Sequence, residues 1–384
     1  MQDAAKIILS GIRDLEPELK ARVMEFETAR RIAPDVIASL KSIGIFRMLA
    51  PRSHGGLELD LPAALDITAT IARVDGSLGW TAMIGGGTAI FAPLFPRKTF
   101  DDVYRNGPDI IMAGSTQPVG TAEATADGWR VSGRWPFASG CQHADFLIGV
   151  CVMMKDGKPL SPIADEGGPP PTFGFILPAS DWRIEDTWHA AGLKGTGSHH
   201  IAIKDALVPA ANTFDLAKAT PCLPGPLYGS LHQIVPLLHS AFAVGIAEAA
   251  LDDIVAHANT GRQQVRAAVP MRHSESFQGE LGRIAADVRA ARAFFESENA
   301  RYWRHALAGT LNTPALQAEA TQGAIWLTTI CIRIADACFT LGGGPAVYDS
   351  SPLQRHLRNL QVAGQHAAVH QRHYVNAGKM LLQS

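Results

Sequence analysis

The stretch "RWPFASGCQHADF", Arg134 to Phe146, lies in a part of the chain where apolar and polar residues alternate with a period of two. That period is typical of β-strands, whose successive side chains point to opposite faces. Similar short runs, among them "DFLIGVCVMM", "TFGFILP" and "HHIAIKDALVP", recur between about residues 108 and 209 and are separated by turn-rich pieces. They predict a small β-structure with one loop near Pro159 to Pro171.

On both sides of this region, apolar residues recur every three or four positions, which is the period of an amphipathic helix. The C-terminal side carries long periodic segments that predict four helices of about 20 or more residues, a natural antiparallel bundle. The sequence therefore predicts a mainly α fold with a central β-domain. Its expected parts are an N-terminal helical domain (1–107), the central β-domain (108–215) and a C-terminal helical bundle (216–384).

The composition excludes several classes of partner. The chain has 384 residues and 47% hydrophobic content, enough for a large core, while 34 Lys and Arg against 36 Asp and Glu give a net charge of -2. No basic block stands out, so we expect no nucleic acid partner. The five cysteines are odd in number and show no CxxC spacing, which favours reduced thiols in a cytoplasm.

Neither the N-terminal segment nor the long uncharged runs indicate a targeting or membrane segment. The N-terminal segment carries charged residues through its apolar positions and lacks the core of a secretory signal. Two uncharged runs, 76–96 and 219–247, are interrupted by Gly, Pro, His or Gln. A lipid-facing helix would leave such groups poorly satisfied, so we interpret both runs as buried helices and expect no membrane association.

The Ser, Cys and His residues of the opening stretch allow three interpretations. Cys141 and His143 lack the second ligand cluster that a zinc site needs, so no metal is expected. A Cys-His nucleophile would lack an orienting group and an oxyanion loop. In the third interpretation, Trp135 and Phe137 form an apolar wall, and the turn at Ser139 and Gly140 offers a hydroxyl and amides to a planar heterocycle. An ordinary strand end with a Ser-Gly turn is the alternative.

A second polar loop precedes the last long strand. Gly195, Thr196, Gly197 and Ser198 gather amides and hydroxyls that suit a polar cofactor edge or a phosphate. The same GTGS sequence is equally compatible with a simple hairpin turn.

Taken in order, several segments resemble the acyl-CoA dehydrogenase fold, and more narrowly its flavin-dependent monooxygenase branch. They are "ARVDGSLGW" (72–80), "WPFASGCQHAD", "GLKGTGSHHIAIKDALVP", "NTGRQQVR" and the terminal "GGGPAVYDSSPLQRHLRNLQVAGQH". The resemblance covers nearly the whole chain. It is strongest to the oxygenase components of two-component phenol, hydroxyphenylacetate and steroid-ring hydroxylases, and to dibenzothiophene monooxygenase. It implies an acyl-CoA dehydrogenase-like fold with a small β-barrel at its centre and a four-helix bundle at its end.

The C-terminal segment separates the two branches. A dehydrogenase needs a carboxylate to remove the α-proton, but no Asp or Glu follows Asp349. The segment instead contains His356, His366, His370 and His373. The resemblance matches the catalytic histidine of the monooxygenases to His366, in "AGQH", where a neutral imidazole could take a phenolic proton or hydrogen-bond a peroxide. Surface or interface histidines are the alternative.

The resemblance also implies the cofactor and partners. Reduced FMN or FAD would be supplied by a separate NAD(P)H-dependent flavin reductase, since the chain shows neither a second Rossmann-type domain nor a GxGxxG motif. O2 would be the co-substrate and a C4a-hydroperoxyflavin the oxygen donor. The expected substrate is an aromatic or heteroaromatic molecule, phenolic or indolic, and the expected assembly is a homotetramer. N- or S-oxygenation, acyl-CoA dehydrogenation with a displaced base, and a non-catalytic scaffold remain alternatives.

Site residues follow from the same resemblance. Ser139 is expected near flavin N5 as a donor, with Trp135 and Phe137 as walls and Gly140, Thr196 and Ser198 at the polar edge. Trp80 and the Gly85 to Gly87 run, with Gly86 at its centre, are expected on the substrate side. The expected phosphate and backbone contacts come from Arg262, with Arg355 and Arg358 as further candidates, and from Gly343 and Gly344. Whether His143, His370 or His373 shares the site is left open.

Overall fold

The computed structural model describes residues 2–160, 170–216, 218, 220–229, 231–263 and 267–383. Most of the predicted proline-rich loop, residues 161–169, lies outside this part of the chain. Helices precede the first strand, as the periodicity indicates. The α-helices described there are α1 (Gln2–Ala21), α2 (Val23–Ala29), α3 (Pro34–Ser42), α4 (Leu61–Val74), α5 (Gly76–Gly87) and α6 (Arg97–Val103).

Helices α4 and α5 meet at one aspartate. Asp60 caps α4 by accepting a hydrogen bond from Ala63 N at 2.9 Å. Asp75 ends α4 and caps α5, and its carboxylate accepts from Ser77 N at 2.8 Å and Leu78 N at 3.1 Å. Both caps satisfy amides that the first helical turn leaves without partners. The sharp turn at Asp75 fixes the direction of α5, which carries Trp80.

The central region forms one mixed sheet. Its described strands are β1 (Met112–Gly114), β2 (Gly120–Ala124), β3 (Gly128–Ala138), β4 (Phe146–Lys155), β5 (Lys158–Pro159), β6 (Thr172–Pro178), β7 (Arg183–Glu185), β8 (His199–Pro209) and β9 (Thr213–Phe214). The main order is β7-β8-β3-β2-β4-β6-β9, and β1 and β5 both pair with β4. The end strands β7 and β9 do not pair with each other among the described residues, so the predicted small barrel is not closed by hydrogen bonds.

The C-terminal region is helical. Its described helices are α7 (Leu231–Asn259), α8 (Glu275–Leu307), α9 (Pro314–Gly342), α10 (Pro352–Ala363) and α11 (Tyr374–Gln383). The first three span 29, 33 and 29 residues, whereas α10 has 12. The predicted bundle of four long helices is therefore three long helices and a short one. Helices α8 and α10 both pack against α7 and α9, and α4 packs against α7.

Two helices are long and apolar enough to cross a membrane by length and composition. In α7 the most apolar window, within Ile234–Asn259, is 83% buried inside the protein, which is the pattern of a core helix. In α9 the corresponding window is 44% buried. Much of the apolar length of α9 is therefore exposed in the single chain.

Helix α10 ties the three regions together. Arg355 Nε lies 3.8 Å from the Asp75 carboxylate, and Arg358 donates to Glu27 of α2 at 3.1 and 3.2 Å. Asn359 Oδ1 accepts from Leu193 N at 2.7 Å, in the loop before β8. These contacts fix the segment after α10, which contains His366, against both the N-terminal helices and the sheet.

Helices α4 and α7 pack closely at Gly245, which can be tested by substitution. A Cβ atom added at Gly245 of α7 would lie 2.1 Å from Ala69 O of α4, whereas one added at the exposed Gly279 of α8 meets nothing within 4 Å. Gly245→Ala should lower the free energy of unfolding by about 2 kcal/mol, because the helices must separate. Gly279→Ala should raise it by about 0.5 to 1 kcal/mol through helix propensity. Urea denaturation of the two variants measures both values, and changes of the same sign would contradict the close approach.

Candidate active site

A cavity of about 380 Å³ lies between the N-terminal helices, the sheet and α7. Ligand pockets of small-molecule enzymes usually have volumes of about 300 to 1,000 Å³. Its polar groups include Ser139, Ser198, His239, His366 and Gln365. Apolar side chains cover much of the remaining wall, among them Met83, Ile84, Phe91, Ile148, Leu216 and Leu238.

A chain of hydrogen bonds joins α5 to the loop before β8. Trp80 Nε1 donates to Ser139 Oγ at 3.0 Å, and Ser139 Oγ lies 2.7 Å from Ser198 Oγ. Ser198 Oγ is in turn 2.7 Å from Thr196 Oγ1, which donates to Leu193 O at 2.7 Å. All three hydroxyl-bearing residues are buried. The chain therefore orders the polar side of the cavity.

The carbonyl oxygen of Leu193 fixes the donor and acceptor roles along this chain of hydrogen bonds. A carbonyl only accepts, so Thr196 must donate to Leu193 O and accept from Ser198. Ser198 must then accept from Ser139, whose single proton is used. Ser139 already accepts from Trp80, and one acceptor site of its oxygen remains. The predicted donor role of Ser139 is therefore revised, because this hydroxyl offers the cavity an acceptor.

Two histidines meet beside Trp80. The rings of His239 on α7 and His366 have centroids 4.3 Å apart with an interplanar angle of 35°. Trp80 packs edge to face against both rings, at 5.2 Å from His239 and 5.8 Å from His366, and Phe242 packs against Trp80 at 5.1 Å. Trp80 thus connects the hydroxyl chain with the imidazole pair.

The local backbone determines the tautomer of His366. His366 is the N-cap of a short 3₁₀ turn, and its Nδ1 accepts a hydrogen bond from Ala368 N at 3.1 Å. An accepting Nδ1 carries no proton, so in the neutral ring the proton is on Nε2. Neutral His366 therefore presents an N–H donor from Nε2, which revises the prediction that it serves as the base.

Burial keeps both imidazoles uncharged at neutral pH. It lowers the pKa of His366 to about 4. It also lowers the pKa of His239 to well below its ordinary value, and the nearby His366 adds to that shift. The cost of placing a charge in a low-dielectric site explains both directions.

An irregularity at the end of β3 turns Phe137 toward the cavity. Trp135 pairs with Ile201 of β8, and Ala138 pairs with His199. Two residues of β3 therefore lie between these pairs where β8 has one, which is a β-bulge. Phe137 has a left-handed φ of 63°, and its side chain is 56% exposed. It lines the cavity and packs edge to face on Trp188, which also lines it, at 6.4 Å.

Trp135 does not reach the cavity. Its ring is fully buried in the core of the sheet, where it packs on Phe175 at 5.5 Å and on Trp182 at 5.3 Å. Its Nε1 donates to Val150 O at 2.7 Å. The bulge separates it from Phe137, so the two aromatic residues do not form the common wall that their spacing predicts.

Not all of the predicted glycine and threonine residues line the cavity. Gly87 lines the cavity, whereas Gly86 faces Ile45 O, which an added Cβ would approach to 2.9 Å. Gly140, with a φ of 74°, forms the turn beneath Ser139. Thr196 does not line the cavity itself, but its hydroxyl contacts that of Ser198, which does.

The predicted phosphate residues lie elsewhere in the single chain. Arg262 is exposed in the loop that follows the end of α7. His239, which marks the cavity on α7, lies 20 residues before that end, so about 30 Å of helix separates the cavity from the loop. Gly343 and Gly344 follow α9 at the same end of the bundle, since an added Cβ on neighbouring Gly342 would contact Ile254 of α7 at 4.0 Å. The structure does not bring these three residues to the cavity.

The remaining charged candidates have structural partners. Arg355 approaches Asp75, and Arg358 pairs with Glu27 and also donates to Ala191 O. The guanidinium group of Arg358 is therefore occupied by protein partners, and neither arginine lines the cavity.

The other histidines and Cys141 lie apart from the cavity wall. His356 Nε2 contacts Asp253 at 2.7 Å, and His370 and His373 are in the exposed turns after His366. Burial raises the pKa of the Cys141 thiol to about 12 and lowers the pKa of His143 to about 4, so the two do not form a thiolate-imidazolium pair. Within the described residues no group of three His, Cys, Asp or Glu side chains could hold a metal ion.

His239 and Trp188 are two of the cavity residues that the sequence did not predict. His239 is flanked by apolar residues in "PLLHSAFAV", where a lone histidine has no distinguishing signal. Its proximity to His366 is a tertiary contact across 127 positions. Trp188 precedes the polar loop "GLKGTGS", and its position beside that loop is a signal that could have been used.

Comparison with known proteins gives a consistent result over the whole chain. Residues 5–95 match the N-terminal domain of acyl-CoA dehydrogenases, and residues 237–371 match their C-terminal domain. An indole-3-acetate monooxygenase from Pseudomonas putida is 35% identical over 98% of this chain and 92% of its own length. The oxygenase subunit HsaA of a flavin-dependent monooxygenase from Rhodococcus jostii is 30% identical over 92% of both chains.

A solved structure is similar to this protein over nearly its whole length. The crystal structure of 3-HSA hydroxylase from Rhodococcus sp. RHA1 superposes with a TM-score of 0.86 and 28% sequence identity. The match covers 98% of this chain and 96% of that one. Helical, β and helical regions therefore follow one another in the same arrangement in both proteins.

Proposed function

The chain belongs to the acyl-CoA dehydrogenase family, within its flavin-dependent monooxygenase branch, and on this premise we propose that it hydroxylates a phenolic or indolic small molecule. It is the oxygenase component of a two-component enzyme and uses reduced flavin and O2. The observation that carries the proposal is one cavity that combines a free acceptor at Ser139 with two neutral imidazoles.

The cavity suits a flavin ring. Phe137 presents an exposed aromatic face beside Trp188, which gives a planar heterocycle an apolar wall. Ser139 keeps one unused acceptor site, which matches the N–H that reduced flavin carries at N5. Ser198 and the loop from Ser115 to Gln117 add polar groups at the rim. When bound, reduced flavin activates O2 and supplies one oxygen atom for transfer.

The protein's contribution is to orient groups and exclude water. Trp80 and Ser139 hold the polar edge, while His366, which lines the cavity, carries an Nε2–H donor that would stabilise negative charge on a transferred oxygen. Apolar walls such as Ile84 and Leu238 limit the access of water, which would otherwise compete with the substrate. This arrangement supports oxygen transfer to an electron-rich ring.

The site chemistry favours oxygenation over dehydrogenation. Removal of an α-proton from an acyl thioester needs a carboxylate beside the flavin. Among the described residues that line the cavity, the titratable side chains are His239 and His366, and both are neutral. Acyl-CoA dehydrogenation is therefore the contrary outcome of the test below, and N- or S-oxygenation on the same scaffold would be tested by adding an amine and a thioether to its panel.

The proposed assembly is a homotetramer. The partly exposed apolar length of α9, with Trp326 exposed to 41%, supports burial against other copies. In such an assembly Arg262, Gly343 and Gly344 would serve a flavin bound mainly by a neighbouring subunit. Five free cysteines suit a reducing cytoplasm, where an NAD(P)H-dependent reductase supplies flavin by diffusion or transient contact.

The function is tested with purified protein, a flavin reductase, NADH and oxygen-18 gas. We expect one labelled oxygen atom in the product of at least one ring compound from a panel of indole, indole-3-acetate, phenol and resorcinol. Bleaching of flavin-loaded protein by acyl-CoA thioesters would instead indicate a dehydrogenase. Release of all consumed oxygen as hydrogen peroxide with every compound would contradict the proposal.

A further inference from the structure

We propose that His239 accepts the hydrogen bond of the substrate's N–H or O–H group and takes its proton during oxygen transfer, while His366 acts as a donor. The inference deepens the function proposed above and rests on it. It assigns the two neighbouring imidazoles opposite tasks in one cavity.

His366 is unsuited to accept a proton in its present contacts. Its Nδ1 is occupied by Ala368 N–H, and its Nε2 already carries the proton of the neutral ring. Protonating Nδ1 would break the cap of the following turn and place two donors against each other. Another group in the cavity must therefore accept the proton of the substrate.

His239 has the required free acceptor. It lines the cavity, is 4% exposed, and forms no hydrogen bond through either ring nitrogen with the described residues. Its ring contacts are the neutral His366 and Trp80, at 4.3 and 5.2 Å. A buried imidazole without a polar partner loses the hydrogen bonds that water gave it. An N–H or O–H donor of a bound substrate would satisfy it.

The low basicity of His239 fits the step. Burial lowers its pKa, so it cannot ionise a resting phenol or indole. A ring that accepts an electrophilic oxygen becomes positively charged, and its N–H or O–H group becomes strongly acidic. A weak acceptor already in hydrogen-bond contact is then sufficient, and it stays unprotonated until that moment.

The reaction balances with the partners already named. Reduced flavin supplies two electrons and two protons, and one atom of O2 forms the new C–O bond while the other leaves as water. The substrate's N–H or O–H proton passes to His239 as the C–O bond forms. When aromaticity returns, the ring carbon loses its own proton, which ends with one of the two flavin protons in the water formed. His239 then gives its proton back to the nitrogen or oxygen, so it is unchanged at the end of the cycle.

The first test is binding to flavin-free protein, measured by calorimetry with two probe pairs, indole with 1-methylindole and phenol with anisole. The wild type should prefer the N–H or O–H member of at least one pair by about three- to tenfold, the value of one hydrogen bond. His239→Leu should remove this preference, and His239→Asn, which keeps an acceptor, should retain part of it. His257→Leu is the matched control, because it makes the same change on α7 outside the cavity.

The second test is turnover with reduced flavin. His239→Leu should slow hydroxylation of the preferred probe about a hundredfold and that of its methylated partner less than about threefold. Equal affinity for both members of each pair in the wild type, or equal slowing of both, would overturn the assignment of His239. If the wild type oxygenates no compound but still shows the binding preference, the proposed function fails and the acceptor assignment survives.

Discussion

His366→Ala should lower the rate of ring hydroxylation by about a hundredfold to a thousandfold, the range measured when one donor to a developing oxyanion is removed. The variant loses the imidazole of His366, which lines the cavity and whose neutral form carries its proton on Nε2. Consumption of reduced flavin should continue, with oxygen diverted to hydrogen peroxide. The measurement is the ratio of hydroxylated product to peroxide under matched flavin supply.

His370→Ala is the matched control for this variant. His370 caps the next 3₁₀ turn in the same way, since its Nδ1 accepts from Arg372 N at 3.1 Å, but its side chain is exposed. Loss of a cap alone should therefore leave the product ratio unchanged. A similar loss of product in both variants would assign the effect of His366→Ala to the turn and not to the cavity.

The pH dependence of the wild type follows from the same residue. His366 has a pKa of about 4, below its ordinary value, so it is neutral from pH 6 to 8 and becomes charged only in acid. Hydroxylation should be flat with respect to this group near neutrality and decline as the pH falls toward about 4, because a proton on Nδ1 breaks the hydrogen bond from Ala368 N that orients the ring. The pH profile of the ratio of product to peroxide measures this.

Asp75→Ala should lower the free energy of unfolding by about 3 kcal/mol, through the loss of a doubly bonded helix cap and of the partner of Arg355. Asp75→Asn should cost less than about 1 kcal/mol, because its side-chain oxygen can still cap α5. Burial already raises the pKa of Asp75, so its charge contributes little net stability. Chemical denaturation measures both variants.

Asp60→Ala provides the comparison for Asp75. It removes a single hydrogen bond from the cap of α4, at a half-buried position without a cationic partner in the hydrogen bonds and ion pairs described for it. A loss of about 1 kcal/mol is expected there. If Asp75→Asn proved as destabilising as Asp75→Ala, the charge would be the important feature of Asp75 and the cap would be secondary.

The sequence predicted the order of helices and strands because each element's periodicity is local. It also predicted that His366, Ser139, Ser198, Trp80 and Phe137 would share one site, and the structure brings these five to one cavity. That prediction rested on the resemblance to a family and not on spacing. The roles of these residues stay predictions until the variants are measured.

What the sequence could not predict depended on single-residue shifts and tertiary contacts. Trp135 and Phe137 should share a face at a spacing of two, but the bulge inserts one residue and separates them. Gly86 and Gly87 differ by about 100° around the helix, and only Gly87 reaches the cavity. His239 becomes notable only when α7 places it on the ring of His366.

The chain of hydroxyl groups between Trp80 and Leu193 cannot relay protons away from the cavity. Relay of a proton along hydroxyl groups requires a terminal group that can be protonated or exchange with water. Here the terminal acceptor is the buried carbonyl of Leu193, which also accepts from Trp188 Nε1 at 3.0 Å and is too weakly basic to take a proton. A proton held beside Ser139 therefore has no exit through this chain, although the chain contains three hydroxyl groups.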